Sequence, residues 1–161
     1  MTLKCLLVNA LIGSLYVVLI FVFDFMSFGP IQFRIAEVLL LLIIYNKKFS
    51  LGILVGTFIS NILLSPIGII DALIGTFASV IVIFLMTIVK NKYISFSFAG
   101  IVNGLVISYL LLFTEIITID LYILTALEIF FGETVVMYSL GIPLTLVIDK
   151  NNYLKNLLID I

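Results

Sequence analysis

The stretch QFRIAEVLLLLII, residues 32–44, decides how the whole chain is read. Its second half is unbroken apolar sequence, while its first half carries Arg34, the only arginine, and Glu37 three residues on. Whether a charge pair belongs at the entrance of such a helix depends on the solvent around it. The chain has 161 residues, 64% of them hydrophobic and 11% charged, against roughly 45–50% apolar and 25% charged in soluble domains. The expected class is an all-α integral membrane protein, multi-pass in the cell membrane and in contact with its lipid, with residues 1–161 forming a single transmembrane domain.

Charges and helix breakers cut the sequence into apolar blocks at 5–23, 33–46, 49–64, 69–89, 95–114 and 121–148, so six transmembrane helices are expected. The start of the chain resembles a signal peptide, but its apolar run exceeds a 7–15-residue signal core and no A-x-A site follows. It is read as the first span. All the lysines fall in alternate connections, at Lys4, Lys47 and Lys48, Lys90 and Lys92, and Lys150 and Lys155. The positive-inside rule makes that side cytoplasmic, with both termini inside. Asp24, Glu115 and Asp120 then lie outside. Spans two and three are short, about 14–16 residues or roughly 21–24 Å against a hydrocarbon core of about 30 Å.

An ionisable group at the centre of a membrane helix costs about 2.5–3.5 kcal/mol on insertion scales, so each needs a partner, a cavity or an interface. On the expected topology Arg34 and Glu37 open span two from outside, Asn61 closes span three and Asp71 begins span four. Asn103 sits near the middle of span five, and Glu128 and Glu133 lie about 10 and 18 Å down span six. This outward bias suits a cup open to the outside better than an ion path, which needs polar groups at every depth. Simpler readings stand beside it. Arg34 and Glu37, i and i+3, can pair with one another; Asp71 can complement a helix N-terminus; Asn61 and Asn103 can join helices. Glu128 and Glu133 are about 140° apart around a helix and do not share a face. In span one, Ala10 with Ser14, and more loosely Asn9 with Gly13, form small-xxx-small pairs that suit either an internal contact or a partner protein.

Absences exclude several activities. Without histidine there is no His-based triad, imidazole catalysis or His metal site, and no GxxxxGK[ST] loop is present to hold a nucleotide phosphate. A single cysteine, Cys5, leaves no internal disulfide. The net charge of −1 argues against nucleic acid. No catalytic residue, metal or cofactor is expected.

Five patches carry a family resemblance: GSLYVVL at 13–19, QFRIAEVLLLL at 32–42, SNILLSPIGIIDALIGTFAS at 60–79, the asparagine of IVNGLVI at 101–107, and FGETVVMYSLGIPL at 131–144. From about Gly13 to Leu144 the chain resembles the QueT-type substrate-binding subunits, or S components, of energy-coupling factor transporters, associated with queuosine precursors. The resemblance implies a six-helix subunit that takes its ligand from outside and docks on an EcfT-like membrane coupling protein with two ATPase subunits, all supplied by other chains. The implied ligand is a 7-deazapurine, preQ1 or queuine. Span one of such subunits typically carries an AxxxA contact for the coupling protein, matched here by Ala10 and Ser14 beside Gly13. Glu128 matches no motif of the family.

Such a ligand presents N–H donors, a carbonyl, a flat face and, in preQ1, an aminomethyl cation. Glu37, Asp71 and Glu133 supply acceptors, Asn61 and Asn103 amides, and Phe28, Phe33 or Tyr16 a stacking surface. The expected roles are one of Glu37 and Glu133 on the guanine-like edge, Asp71 on the amine, and Arg34 holding Glu37 in place. The loop DFMSFGPIQ, 24–32, is the expected lid. An S component for another vitamin-like molecule, a structural membrane subunit and a membrane-embedded hydrolase are the alternatives.

Overall fold

Hydrocarbon offers no hydrogen-bond partners, so a chain this apolar must pair its backbone internally. In the computed structural model the described residues do so with helices alone. Those residues are 2–29, 31–89 and 91–161. Met1, Pro30 of the expected lid and Lys90 of the lysine-bearing loop lie outside them.

Helix α1 is Leu3–Val22, started by the Thr2 hydroxyl, which accepts from the Cys5 N–H. One further turn, Asp24–Ser27, follows it. Helix α2, Ile35–Tyr45, is a 3₁₀ helix over Ile35–Leu41 and an α-helix only over Leu42–Tyr45. Then come α3 (Ser50–Leu64), α4 (Ile69–Ile88) and α5 (Lys92–Phe113). Helix α6 runs over Tyr122–Val136, a π-helical turn at Met137–Gly141 and a final α segment at Ile142–Lys150. Pro143 explains the π turn: it has no N–H for the carbonyl one turn back and its ring crowds that carbonyl, so the helix widens there. A short amphipathic helix, α7 (Asn152–Ile159), ends the fold.

Five runs are long and apolar enough to cross a membrane: Leu3–Val22, Lys47–Leu64, Ile69–Ile88, Lys92–Phe113 and Ile119–Lys150. The third expected span is longer than its sequence suggested, because a 3₁₀ turn at Lys47–Phe49 extends α3. The second is short. At about 2.0 Å per 3₁₀ residue and 1.5 Å per α residue it reaches about 20 Å. Its residues are buried on several faces, including Ala36, Glu37, Val38, Leu40, Leu41 and Ile43, so α2 is a core element rather than a lipid-facing one.

Successive long helices pack on one another, α1 on α3, α3 on α4, α4 on α5 and α5 on α6, and α2 packs between α1 and α6. Small residues set the closest approach. A Cβ on Gly13 would stand 2.9 Å from the carbonyl oxygen of Gly52, and one on Gly56 would stand 2.7 Å from Cβ of Tyr16. The Asn9 side chain crosses the same seam, its Oδ1 accepting from the Gly52 N–H at 2.7 Å. The turn into α4 uses Gly68 at φ +64°, a conformation that suits glycine.

Lysine-bearing segments meet at one end of the bundle. Asn46 donates to the carbonyls of Leu158 and Ile159, Lys48 Nζ donates to the carbonyl of Ile161 at 2.9 Å, and Lys92 pairs with Asp149. The opposite end holds the 23–34 segment, the 65–68 turn and the 114–121 connection.

Candidate functional site

Each polar side chain singled out in the sequence as a ligand group is buried: Arg34, Glu37, Asn61, Asp71, Asn103 and Glu133 are all 3% exposed or less. They come from α2, α3, α4, α5 and α6; Arg34, Glu37, Asn61 and Asp71 lie toward the end of the bundle away from the lysines, and Asn103 and Glu133 near the middle of their helices. Burial at this level makes the partners of each group the decisive fact.

Arg34 and Glu37 do not pair. Arg34 caps the N-terminus of α2 with φ −77° and ψ 86°, outside helical geometry, so its side chain does not share the i,i+3 face of the helix that follows. Its guanidinium instead stands over the Phe28 ring, 5.5 Å from the centroid, and faces Asp71 with Nη2 to Oδ2 at 3.9 Å. That is an ion pair beyond hydrogen-bond range. The expectation that Arg34 holds Glu37 in place is corrected accordingly. Glu37 Oε1 accepts from the Tyr16 hydroxyl at 2.8 Å, so Tyr16 serves as a hydrogen-bond donor to Glu37 rather than as a free stacking face.

Glu133 is fully buried, and the Asn103 amide nitrogen donates to both of its oxygens at 3.0 and 2.8 Å. Asn61 donates to the Asp71 main-chain carbonyl at 3.3 Å. Gly75 permits this, because a Cβ there would stand 2.5 Å from the Asn61 amide nitrogen. Glu128 is half-buried and on a different side of α6 from Glu133. Arg34 thus lies in the field of three acids, Asp71, Glu133 and Glu37. Among the described residues no group of three or more His, Cys, Asp or Glu side chains is placed to hold a metal ion.

A cavity of about 140 Å³ opens beside this cluster, lined by Phe28, Gln32 and Asp71 together with Pro66 and Ile107. It is smaller than the roughly 300–1,000 Å³ of drug-sized pockets. One wall is the segment that follows α1, tied by the Phe33 N–H to the Met26 carbonyl at 2.9 Å. Its Gln32 carbonyl rests directly on Gly132 of α6, next to Glu133, where any Cβ would collide with it.

Three features escaped the sequence reading. Gln32 is buried beside the cavity with Oε1 unpaired; its only signal was a polar residue two positions before Arg34. The Tyr16 hydroxyl needed the α1–α2 contact to be seen. The packing of the 24–34 segment on Gly132 needed the contact between that segment and α6 to be seen.

Of the expected span-one surface, Ala10 and Ser14 are exposed and Gly13 is buried against α3. Gly13 is therefore an internal contact. Ala10 and Ser14 border an apolar groove between α1 and α3 that Val18, Val55 and Ile59 also line.

A family model described as QueT transporter matches residues 6–150. A relative from Lactococcus lactis subsp. cremoris (strain MG1363), named Queuosine precursor transporter QueT, is 29% identical over 86 residues. That match covers 52% of this chain and 50% of the relative, so the chain spans about half the length of the curated relative it matches. No solved structure matches the chain.

Proposed function

The chain belongs to the QueT transporter family, and from that premise we propose that it is the membrane subunit that captures a queuosine precursor, a 7-deazapurine such as preQ1 or queuine, from the extracellular side. It is a multi-pass membrane protein of a transporter family. In this proposal α1 to α6 all pass through or into the membrane, α2 completing its passage inside the bundle, and the lysine end faces the cytoplasm. The ligand-binding residues are Arg34, Glu37, Asn61, Asp71, Asn103 and Glu133.

The observation that supports the reading is that all six side chains are buried in the helix bundle, with Asp71 among them lining a small cavity. Buried ionisable groups are expensive in a membrane protein and mark binding or transport sites by default. The name of the Lactococcus lactis relative supports the ligand class. The sequence holds no phosphate-binding loop, so uptake against a gradient draws on other chains: an EcfT-like membrane coupling protein and two ATPase subunits. Ala10 and Ser14, exposed on α1, are the proposed contact with that coupling protein.

Calorimetry on the purified chain in detergent, with preQ1, queuine, thiamin and riboflavin, tests the substrate. Saturable binding of a deazapurine and none of the vitamins is expected. Tight binding of a vitamin with no heat from either deazapurine would replace this reading with another vitamin-type specificity.

A further inference from the structure

The polar groups around the cavity divide into those already satisfied and those not. Glu133 has Asn103 and Glu37 has Tyr16. Gln32 Oε1, Asp71 Oδ1 and both Nε and Nη2 of Arg34 are buried without a hydrogen-bond partner. A buried polar atom without a partner is destabilising relative to a paired one, so a molecule that pairs all of them recovers that cost on binding. Gln32 and Asp71 line the cavity directly. Arg34 does not itself line the cavity but stands against two residues that do, its guanidinium 5.5 Å from the Phe28 ring centroid and its Nη2 3.9 Å from Asp71 Oδ2.

These unpaired atoms specify a complement. Two acceptors, an amide oxygen and a carboxylate oxygen, call for two N–H donors. The Nε and Nη2 donors of one guanidinium edge call for an acceptor with two lone pairs, such as a carbonyl oxygen. We propose that Gln32, Asp71 and Arg34 read the ring edge of the ligand, two neighbouring N–H donors beside a carbonyl, and that Gln32 is the residue that selects for an exocyclic amine. This rests on the deazapurine reading above, and it reverses the roles expected from sequence. Asp71, with Arg34, takes the ring edge, and the carboxylates held by Tyr16 and Asn103 are left for the aminomethyl cation.

The test compares two probes by calorimetry on the purified full chain: 7-aminomethyl-7-deazaguanine and the same ring lacking the 2-amino group. The parent protein prefers the amino-bearing probe by at least about tenfold, the worth of one buried hydrogen bond. Gln32→Met removes the amide at nearly constant volume and collapses that preference, while Gln32→Glu, which keeps an acceptor, restores it. Asp71→Asn weakens both probes together. Thermal unfolding of each variant confirms that the comparison is between folded proteins. If Gln32→Met keeps the parent's preference, the inference is wrong while the deazapurine reading stands. If the parent binds neither probe, the deazapurine reading falls and takes this inference with it.

Discussion

Asn103 on α5 donates to both carboxylate oxygens of Glu133 on α6, at 3.0 and 2.8 Å, and two glycines close to it in sequence make that reach short enough. A Cβ on Gly100 would stand 2.7 Å from the Phe130 carbonyl oxygen, and one on Gly104 the same 2.7 Å from that of Ala126. The Gly100-x-x-x-Gly104 spacing thus lets two backbones nearly touch. Asn103 is both interhelical glue and the group that fixes a buried carboxylate. The structure does not force a choice between those roles, because the helix contact and the site share one hydrogen bond.

Replacing Asn103 by Leu strands Glu133 in a buried site without its donor. A hydrogen bond to a charged group is worth about 1.5–3 kcal/mol, so a lower melting temperature in detergent is expected together with weaker ligand binding. Glu133→Gln behaves differently. The amide keeps an acceptor for Asn103 and the fold survives, but the charge offered to a cationic ligand is gone and binding is abolished. Calorimetry and a thermal melt on the same samples separate these effects; undiminished binding by Glu133→Gln would remove Glu133 from the site.

Tyr16→Phe distinguishes a hydrogen-bonding Tyr16 from a stacking one. Phenylalanine keeps the ring and would preserve stacking, but it removes the hydroxyl that donates to Glu37 at 2.8 Å. The expected outcome is a loss of about 1.5–3 kcal/mol in stability and a fall in affinity for an amine-bearing ligand. A variant with parental melting temperature and affinity would show that the Glu37 contact contributes to neither.

Gly132→Ala tests the wall of the site formed by the segment after α1. The added methyl runs into the Gln32 carbonyl and comes 3.2 Å from Cγ2 of Ile31, so the loop backbone must move. The helix itself gains from alanine by roughly 0.8–1.0 kcal/mol in intrinsic propensity, which offsets part of the crowding. The expected variant is folded, with ligand dissociating faster and affinity lowered about tenfold, as loss of one or two loop contacts implies. Stopped-flow dissociation of bound preQ1 reads this directly, and an unchanged off-rate would mean that the loop does not retain ligand.

How much of this was legible in the sequence varies with the distance over which each feature is determined. Apolar blocks between charges marked the long helices to within a few residues, because a spanning helix satisfies its own backbone and needs only local sequence. The identity of the buried polar groups was equally plain, since Arg34, Asp71 and Glu133 are conspicuous in such surroundings. Their pairing was not. Arg34 and Glu37 looked like an i,i+3 pair, yet the backbone at Arg34 leaves helical geometry, and no periodicity reports that. The 3₁₀ form of α2, the Tyr16–Glu37 bond and the seat of Gln32 on Gly132 all depend on which helix packs against which. Gly13 shows the same limit, suiting either an internal contact or a partner protein until α3 is seen lying on it.

That division of α1 gives the last prediction. Gly13 and Ser14 are adjacent, yet a side chain at Gly13 would strike the Gly52 carbonyl oxygen at 2.9 Å while Ser14 is exposed. Gly13→Leu must force α1 and α3 apart, at a cost of about 1–3 kcal/mol or more for overpacking, and is expected to lower the melting temperature with or without a partner present. Ser14→Leu places its bulk outside the bundle, where leucine suits lipid, and should leave stability and ligand affinity at parental values. If Ala10 and Ser14 are where the coupling protein sits, the same substitution prevents its recovery in a pull-down from membranes that contain it. Full recovery with Ser14→Leu would move that contact elsewhere on the bundle, whereas loss of recovery with unchanged ligand binding isolates docking from capture.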